Sequence, residues 1–220
     1  MNTVTFKKPD GTTKNSYADW GLLLRPKKIA SPDPKIITME IEGRDGDIDL
    51  TEWAGEVRYN NRSFPLSFYM TCALSEIEKK ATEIKNWLHG QHVQITLADD
   101  AAYYYAARVS VSDAYAKGGL GVLEMSVTAE PYKYKQEKTV VSKAVNGTEI
   151  INLTNDRQSA LPQVTVETDT SIRLEYHGSN VWDLGSGTFT LAGLILKEGS
   201  NAVTVTGSGA VTFEWQEGAL

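Results

Sequence analysis

Cysteine is almost missing from this chain: Cys72 is the only one in 220 residues. An intramolecular disulfide is excluded, and so is a cysteine-rich zinc site. A lone thiol accords with folding in a reducing cytosol. Histidine is scarce, with three in the chain. Positive charge is in deficit, 22 Lys and Arg against 28 Asp and Glu, for a formal net charge of −6. That balance argues against nucleic-acid binding and favours solubility. Long apolar runs are absent. None approaches the roughly 18 residues that span a bilayer, and the N-terminal MNTVTFKKPDG has no secretory h-region. A soluble chain with neither membrane insertion nor an export signal is expected.

Catalytic signatures are missing as well. There is no G-x-S-x-G, no Walker A loop and no G-x-G-x-x-G. Cys72 has no local signature around it. No enzyme activity and no cofactor are expected. His89 and His92 form the single histidine pair, and a metal would need two or more further ligands from elsewhere. Gly43–Asp49 has the look of a calcium-loop start but lacks the bidentate Glu at the twelfth position. Both are read as structural, and no metal site is expected. Asn61, Asn146 and Asn152 open glycosylation sequons, read as chance without an export signal.

What is present is ordinary globular material, 41% hydrophobic and 23% charged, enough for one large β domain or two small ones. Trp20–Leu24, Ile36–Ile41 and Ser63–Met70 read as strands, the last with Phe64, Leu66 and Phe68 on one face. Ser75–Leu88 is the one helix. Ile77, Ala81, Ile84 and Leu88 make its apolar stripe, Ser75 and Glu78 fit a capping box, and Gly90 fits a left-handed stop. Strand alternation resumes at Val93, Ile95 and Leu97. Tyr103–Ser112 and Val122–Ala129 follow, with Gly118-Gly119 at a hairpin tip between them.

Texture changes after Pro131. Lys135–Lys143 is polar, a linker or departing edge strand. Beyond Val145 lie short Val-, Thr- and Gly-rich segments with no helical period: Glu149–Leu153, Gln163–Glu167, Ser171–Tyr176, Asn180–Asp183, Thr188–Leu191, Leu194–Lys197, Ala202–Thr206 and Ala210–Trp215. Gly185-Ser186-Gly187 and Gly207-Ser208-Gly209 are read as hairpin turns between them. This rhythm predicts a β-sandwich. The expected organisation is mostly β in two domains, 1–138 and 139–220.

Two aromatic groups stand out. Tyr103-Tyr104-Tyr105 must alternate between the two faces of a strand, so at least one points away from the core, which suits a protein interface. Tyr115, in the hairpin that reaches from Tyr103 to Ala129, joins them as an interface candidate. Tyr176, Trp182 and Trp215 could form a sugar-stacking platform, although aromatics in a small sandwich more often fill its core.

The order of these segments is more informative than any one of them. The Gly43-Arg44-Asp45-Gly46 turn leads to Asp49-Leu50, then Tyr59, Arg62 and Phe68. The helix ends Asn86-Trp87-Leu88-His89-Gly90, and the Asp99-Asp100 turn precedes Tyr104-Tyr105-Ala106-Ala107-Arg108-Val109. Glu130-Pro131-Tyr132-Lys133-Tyr134 closes the first half. Gly199-Ser200-Asn201, Val203-Thr204-Val205, Val211–Trp215 and Glu217-Gly218 mark the second. This series resembles the distal tail proteins of long, non-contractile-tailed phages and related prophages, over nearly the whole chain. His89 departs from the smaller polar residue the family often carries there.

The resemblance implies an N-terminal β-sandwich with one α-helix and an extended hairpin, closing into a hexameric ring. It implies a C-terminal galectin-like β-sandwich. It implies a structural role at the virion tail tip, assembled in the cytoplasm of the bacterial host. The implied partners are copies of itself, the tail tube protein, the tail-tip protein and, in some phages, a receptor-binding protein. Two other classes are weighed against it. A carbohydrate-binding module would expose Tyr176, Trp182 or Trp215 in a groove, and a wall hydrolase would need a cleft of convergent Asp, Glu or His.

Overall fold

In a computed structural model the chain is mostly β, as expected, with one α-helix. Residues 2–167 and 171–220 are described. Two compact units divide between Lys133 and Tyr134.

The first unit begins with β1 (Val4–Lys7), β2 (Thr13–Asn15), β3 (Leu22–Leu24), β4 (Thr38–Met39), β5 (Ile48–Asp49) and β6 (Arg62–Met70). After α1 (Ile77–Leu88) come β7 (His92–Leu97), β8 (Tyr103–Val111), β9 (Tyr115–Lys117) and β10 (Leu120–Ala129). The main sheet runs β2-β1-β7-β8-β10-β6-β3 and its neighbours are antiparallel. Period-two alternation decides what is buried. Phe64, Leu66, Phe68 and Met70 of β6 face Leu123, Met125 and Val127 of β10 on one inner face. The predicted hairpin turn forms at Gly118-Gly119, both at positive φ, between the paired Lys117 and Leu120.

Helix α1 lays Ile77, Ala81, Ile84 and Leu88 on that inner face. It stops where the sequence said it would, with Gly90 at φ 74°. Its start differs. Ser75 lies inside a short 3-10 turn, Leu74–Glu76, and Glu76 is the N-cap with no side-chain hydrogen bond, so the expected capping box does not form. His89 is structural: its Nδ1 accepts the Val111 N–H at 3.0 Å, tying the helix end to β8.

The helix can approach the sheet because Gly121 of β10 has no side chain. A Cβ there would lie 2.9 Å from Ile77 Cδ1 and 3.1 Å from Met70 Cβ. Gly121→Val is expected to destabilise the first unit by about 2–3 kcal/mol through overpacking. Chemical denaturation followed by the fluorescence of Trp20 and Trp87 checks this, and an unchanged midpoint would contradict it.

The chain leaves this unit through β11 (Lys133–Lys135). The second unit contains β12 (Thr139–Asn155), β13 (Gln163–Glu167), β14 (Ile172–Tyr176), β15 (Asn180–Leu184), β16 (Gly187–Thr190), β17 (Gly199–Trp215) and β18 (Gly218–Ala219). Two 17-residue strands, β12 and β17, pair antiparallel along their whole length. Of the two readings of Lys135–Lys143, the departing strand holds from Thr139, where it runs on into the strand expected at Glu149–Leu153, and β17 joins the two shorter strands expected at Ala202–Thr206 and Ala210–Trp215. Gly207-Ser208-Gly209 is therefore no hairpin turn. It is a kink inside β17, with Gly207 and Gly209 at φ 146° and 149°. On one side of the kink β17 pairs with β14, on the other with β13. One ladder thus folds over on itself around a core that includes Leu153, Val164, Leu174, Val205 and Phe213. The segment expected as a strand at Leu194–Lys197 makes only an isolated bridge, Leu196 with Ala160.

Glu217 is a buried carboxylate in this unit. It accepts from Lys135 Nζ at 2.7 Å, and from Thr139 Oγ1. Burial pushes its carboxyl up, but these hydrogen bonds outweigh burial and hold it below the usual carboxylate range. A depressed folded-state pKa means the contribution is full above the unfolded value and is lost as pH falls through the folded one. Lys135→Met is expected to cost about 2 kcal/mol at pH 7, and distinctly less in acid strong enough to protonate Glu217. Unfolding midpoints of both proteins across that range provide the check. A constant difference would show that the pair does not titrate as described.

Candidate assembly surfaces

Residues 33–60 form an arm. Asn60 N–H donates to Asp33 O at 2.8 Å and Lys35 N–H to Arg58 O at 2.7 Å, and Pro34 bridges Tyr59. Further out, Leu50 N–H reaches Ile37 O at 2.8 Å, β4 pairs with β5, and Gly43 and Gly46 turn the tip at positive φ. The apolar run at Ile36–Ile41 is thus reduced to two paired residues. Not one residue from 33 to 61 is buried. Trp53 is 75% exposed and Ile36 70%, with Ile37, Met39 and Ile41 exposed beside them. The arm carries eight carboxylates against three basic side chains, Lys35, Arg44 and Arg58. A two-stranded ribbon with no core of its own gains little from folding alone.

The tyrosine strand splits between faces, as alternation requires. Tyr105 is 5% exposed, its ring edge-on to Phe64 at 5.5 Å and under the Arg62 guanidinium. Arg62 is itself buried and donates through Nε to Pro131 O at 2.9 Å. Burial pushes the Tyr105 phenol up, partly offset by Arg62 and Lys133. Tyr105 is a core residue, which corrects its place among the interface candidates. Tyr103 is half-buried beneath Lys133, whose Nζ is 4.6 Å from the ring and 2.8 Å from Asp100 Oδ2.

Tyr104 points outward and is half-buried. Burial, then the Glu130 carboxylate, pushes its phenol up. With Lys7, Lys8, His92, Gln94 and Ala106 it lines a shallow groove on the outer face of β1, β7 and β8. Sequence reasoning missed the basic side of this groove, because its residues lie on three strands far apart in the chain. The one signal was that Lys7 alternates with the apolar Phe6. Tyr115 stays exposed elsewhere, with its hydroxyl donating to Glu124 Oε1 at 3.1 Å. Across the sheet Val122 pairs with both Tyr115 and the exposed Tyr69, whose ring stands 4.9 Å from the Arg25 guanidinium.

In the second unit, Tyr176 and Trp215 are each 2% exposed. The Tyr176 hydroxyl has Ile195 O at 2.8 Å and Asn201 Oδ1 at 2.9 Å, two acceptors that share its one proton. Only Trp182 keeps partial exposure, packed against the same core. The three aromatics therefore do not assemble a stacking platform, because two of them fill the sandwich interior.

Among the described residues no three His, Cys, Asp or Glu side chains stand together as a metal cluster. No described helix is long and apolar enough to cross a membrane. No family model matches the sequence, and no curated protein matches it. A solved structure does: the Dit protein (gp 19.1) of phage SPP1, a paradigm of hub adsorption apparatus in phages infecting Gram-positive bacteria. The two align with a TM-score of 0.71 and 16% sequence identity, covering 100% of each chain. From end to end, this chain has the fold of SPP1 Dit.

Proposed function

We propose that this chain is a distal tail protein, a structural component of a phage or prophage tail tip. Six copies close into a ring through the first unit. The ring joins the tail tube protein to the tail-tip protein and to receptor-binding proteins used in host attachment. Its work is mechanical, with no bond made or broken, and it is assembled into virions in the bacterial cytoplasm. The end-to-end likeness to a phage hub protein carries this reading. The exposed apolar arm supports it, since a ring needs head-to-tail contacts between unlike patches of one chain. Carbohydrate binding through the second unit is the weaker reading, because Tyr176 and Trp215 are buried.

Gold-labelled antibody against the chain, applied to purified virions, tests the assignment. Label confined to the distal end of the tail is expected. Label on capsids or along the tail shaft, or intact tails without label, would exclude a tail-tip role.

A further inference from the structure

We infer that Asn146 is a site of spontaneous covalent modification, an intramolecular deamidation that places aspartate and isoaspartate in the exposed middle of β12. The inference stands apart from the hub reading, because the reaction needs only this chain and water. Asn146-Gly147 is the single Asn-Gly pair in the chain. Such a pair ordinarily makes a tight hairpin turn. Here it lies inside a 17-residue strand, opposite Ser208 and Gly207. Both of its residues are exposed.

The surroundings single this asparagine out. Gly147 stands at φ 100°, and no atom lies within 4 Å of where its Cβ would be. Gly147, Gly207 and Gly209 meet at this point of the ladder, which leaves it without side-chain packing and easy to open locally. Among the described strands β12 pairs with β17 alone, so its other edge faces solvent. The Asn146 side chain has no hydrogen-bond partner among the described residues. Other asparagines are held. Asn15 Oδ1 accepts from the N–H groups of Tyr17 at 3.0 Å and Ala18 at 3.1 Å, and Asn155 and Asn201 are buried.

The Gly147 nitrogen gives up its proton and attacks Cγ of Asn146. The N–Cγ bond forms and the Cγ–Nδ2 bond breaks. Nδ2 leaves as ammonia, taking up a proton in place of the one lost. Water then opens the cyclic imide at either carbonyl, to aspartate or to isoaspartate. The sum is amide plus water to carboxylic acid plus ammonia, with nothing oxidised or reduced. Both products put a new carboxylate on the open edge of β12. Isoaspartate also routes the main chain through the side chain and adds a methylene to it. The residues of β12 on the two sides of Asn146 then cannot both keep their register with β17.

The test incubates the purified chain in mildly alkaline buffer and maps its peptides by mass spectrometry, with enzymatic methylation to mark isoaspartate. Asn146 is expected to convert about tenfold or more faster than Asn15 or Asn61, and to yield both products. The unfolding midpoint of the second unit is expected to fall as the modified fraction grows. It is expected to hold in Asn146→Gln, whose longer side chain cyclises far more slowly and whose position is exposed. Asn146 left intact while Asn15 or Asn61 reacts overturns the inference. Aspartate without isoaspartate overturns the cyclisation route. A midpoint that falls equally in the wild-type chain and in Asn146→Gln overturns the consequence for β12.

Discussion

Replacing Gly207 with valine is expected to destabilise the second unit by about 4 kcal/mol or more, enough to unfold it in a marginally stable domain. Two effects add. The residue sits at φ 146°, which β-branched side chains do not adopt. A Cβ there would also lie 3.1 Å from the Ser171 carbonyl oxygen and 3.3 Å from Ile172 Cα. Both neighbours are backbone, so neither can swing away. Gly147, its cross-strand partner, separates the two effects: it has φ 100°, but no atom stands within 4 Å of its virtual Cβ. Gly147→Val should therefore show the conformational cost alone, about 1–3 kcal/mol. Chemical denaturation of both variants gives the comparison. Equal losses would mean that close packing of β17 on β14 is not what requires the glycine.

Asn201→Leu is expected to cost the same unit about 3–5 kcal/mol. Asn201 is buried and makes five hydrogen bonds. Its Oδ1 accepts from the Tyr176 hydroxyl at 2.9 Å and the Lys197 N–H at 2.9 Å. The two N–H groups of its Nδ2 are shared among the carbonyls of Lys197 at 2.8 Å, Gly199 at 3.1 Å and Leu153 at 3.2 Å. One amide thus fixes the entry into β17, the end of β12 and the core tyrosine. Leucine keeps the branched shape but leaves buried backbone groups without partners, and each costs about 1–3 kcal/mol. Tyr176→Phe removes only the hydroxyl and is expected to lose about 1 kcal/mol. A loss for Asn201→Leu no larger than that of Tyr176→Phe would show that the amide is not the centre of the network.

These two residues also show where sequence reading reaches its limit. Asn201 looks like any turn asparagine, since Gly199-Ser200-Asn201 has turn composition. Two of its partners come from Leu153 and Tyr176, which no local pattern brings near. Gly207-Ser208-Gly209 carries the composition of a hairpin. Only the pairing of β17 with both β13 and β14 makes it a kink instead. Where structure depends on local period, the reading held. The stripe Ile77, Ala81, Ile84 and Leu88 is the buried face of α1, Gly90 is its stop, and β6 and β10 bury the residues that alternation selected. Ser75 failed as a cap because a 3-10 turn at Leu74–Glu76 moves the helix start past it.

The surfaces divide in the same way. Strand parity required some tyrosine among 103 to 105 to face outward, and Tyr104 does, while Tyr105 joins the core. Within the arm the sequence showed one apolar run, Ile36–Ile41, which reads as a strand. Composition alone could not say that its residues stay out of the core of the first unit. An apolar run destined for a partner reads like one destined for a core.

Light scattering coupled to size exclusion, on the purified chain over a range of concentrations, tests the central claim most directly. The account predicts a species with a mass near six times the 24.2-kDa chain, dissociating at high salt. A mass that stays at one or two chains at every concentration would contradict a ring closed by this protein's own surfaces.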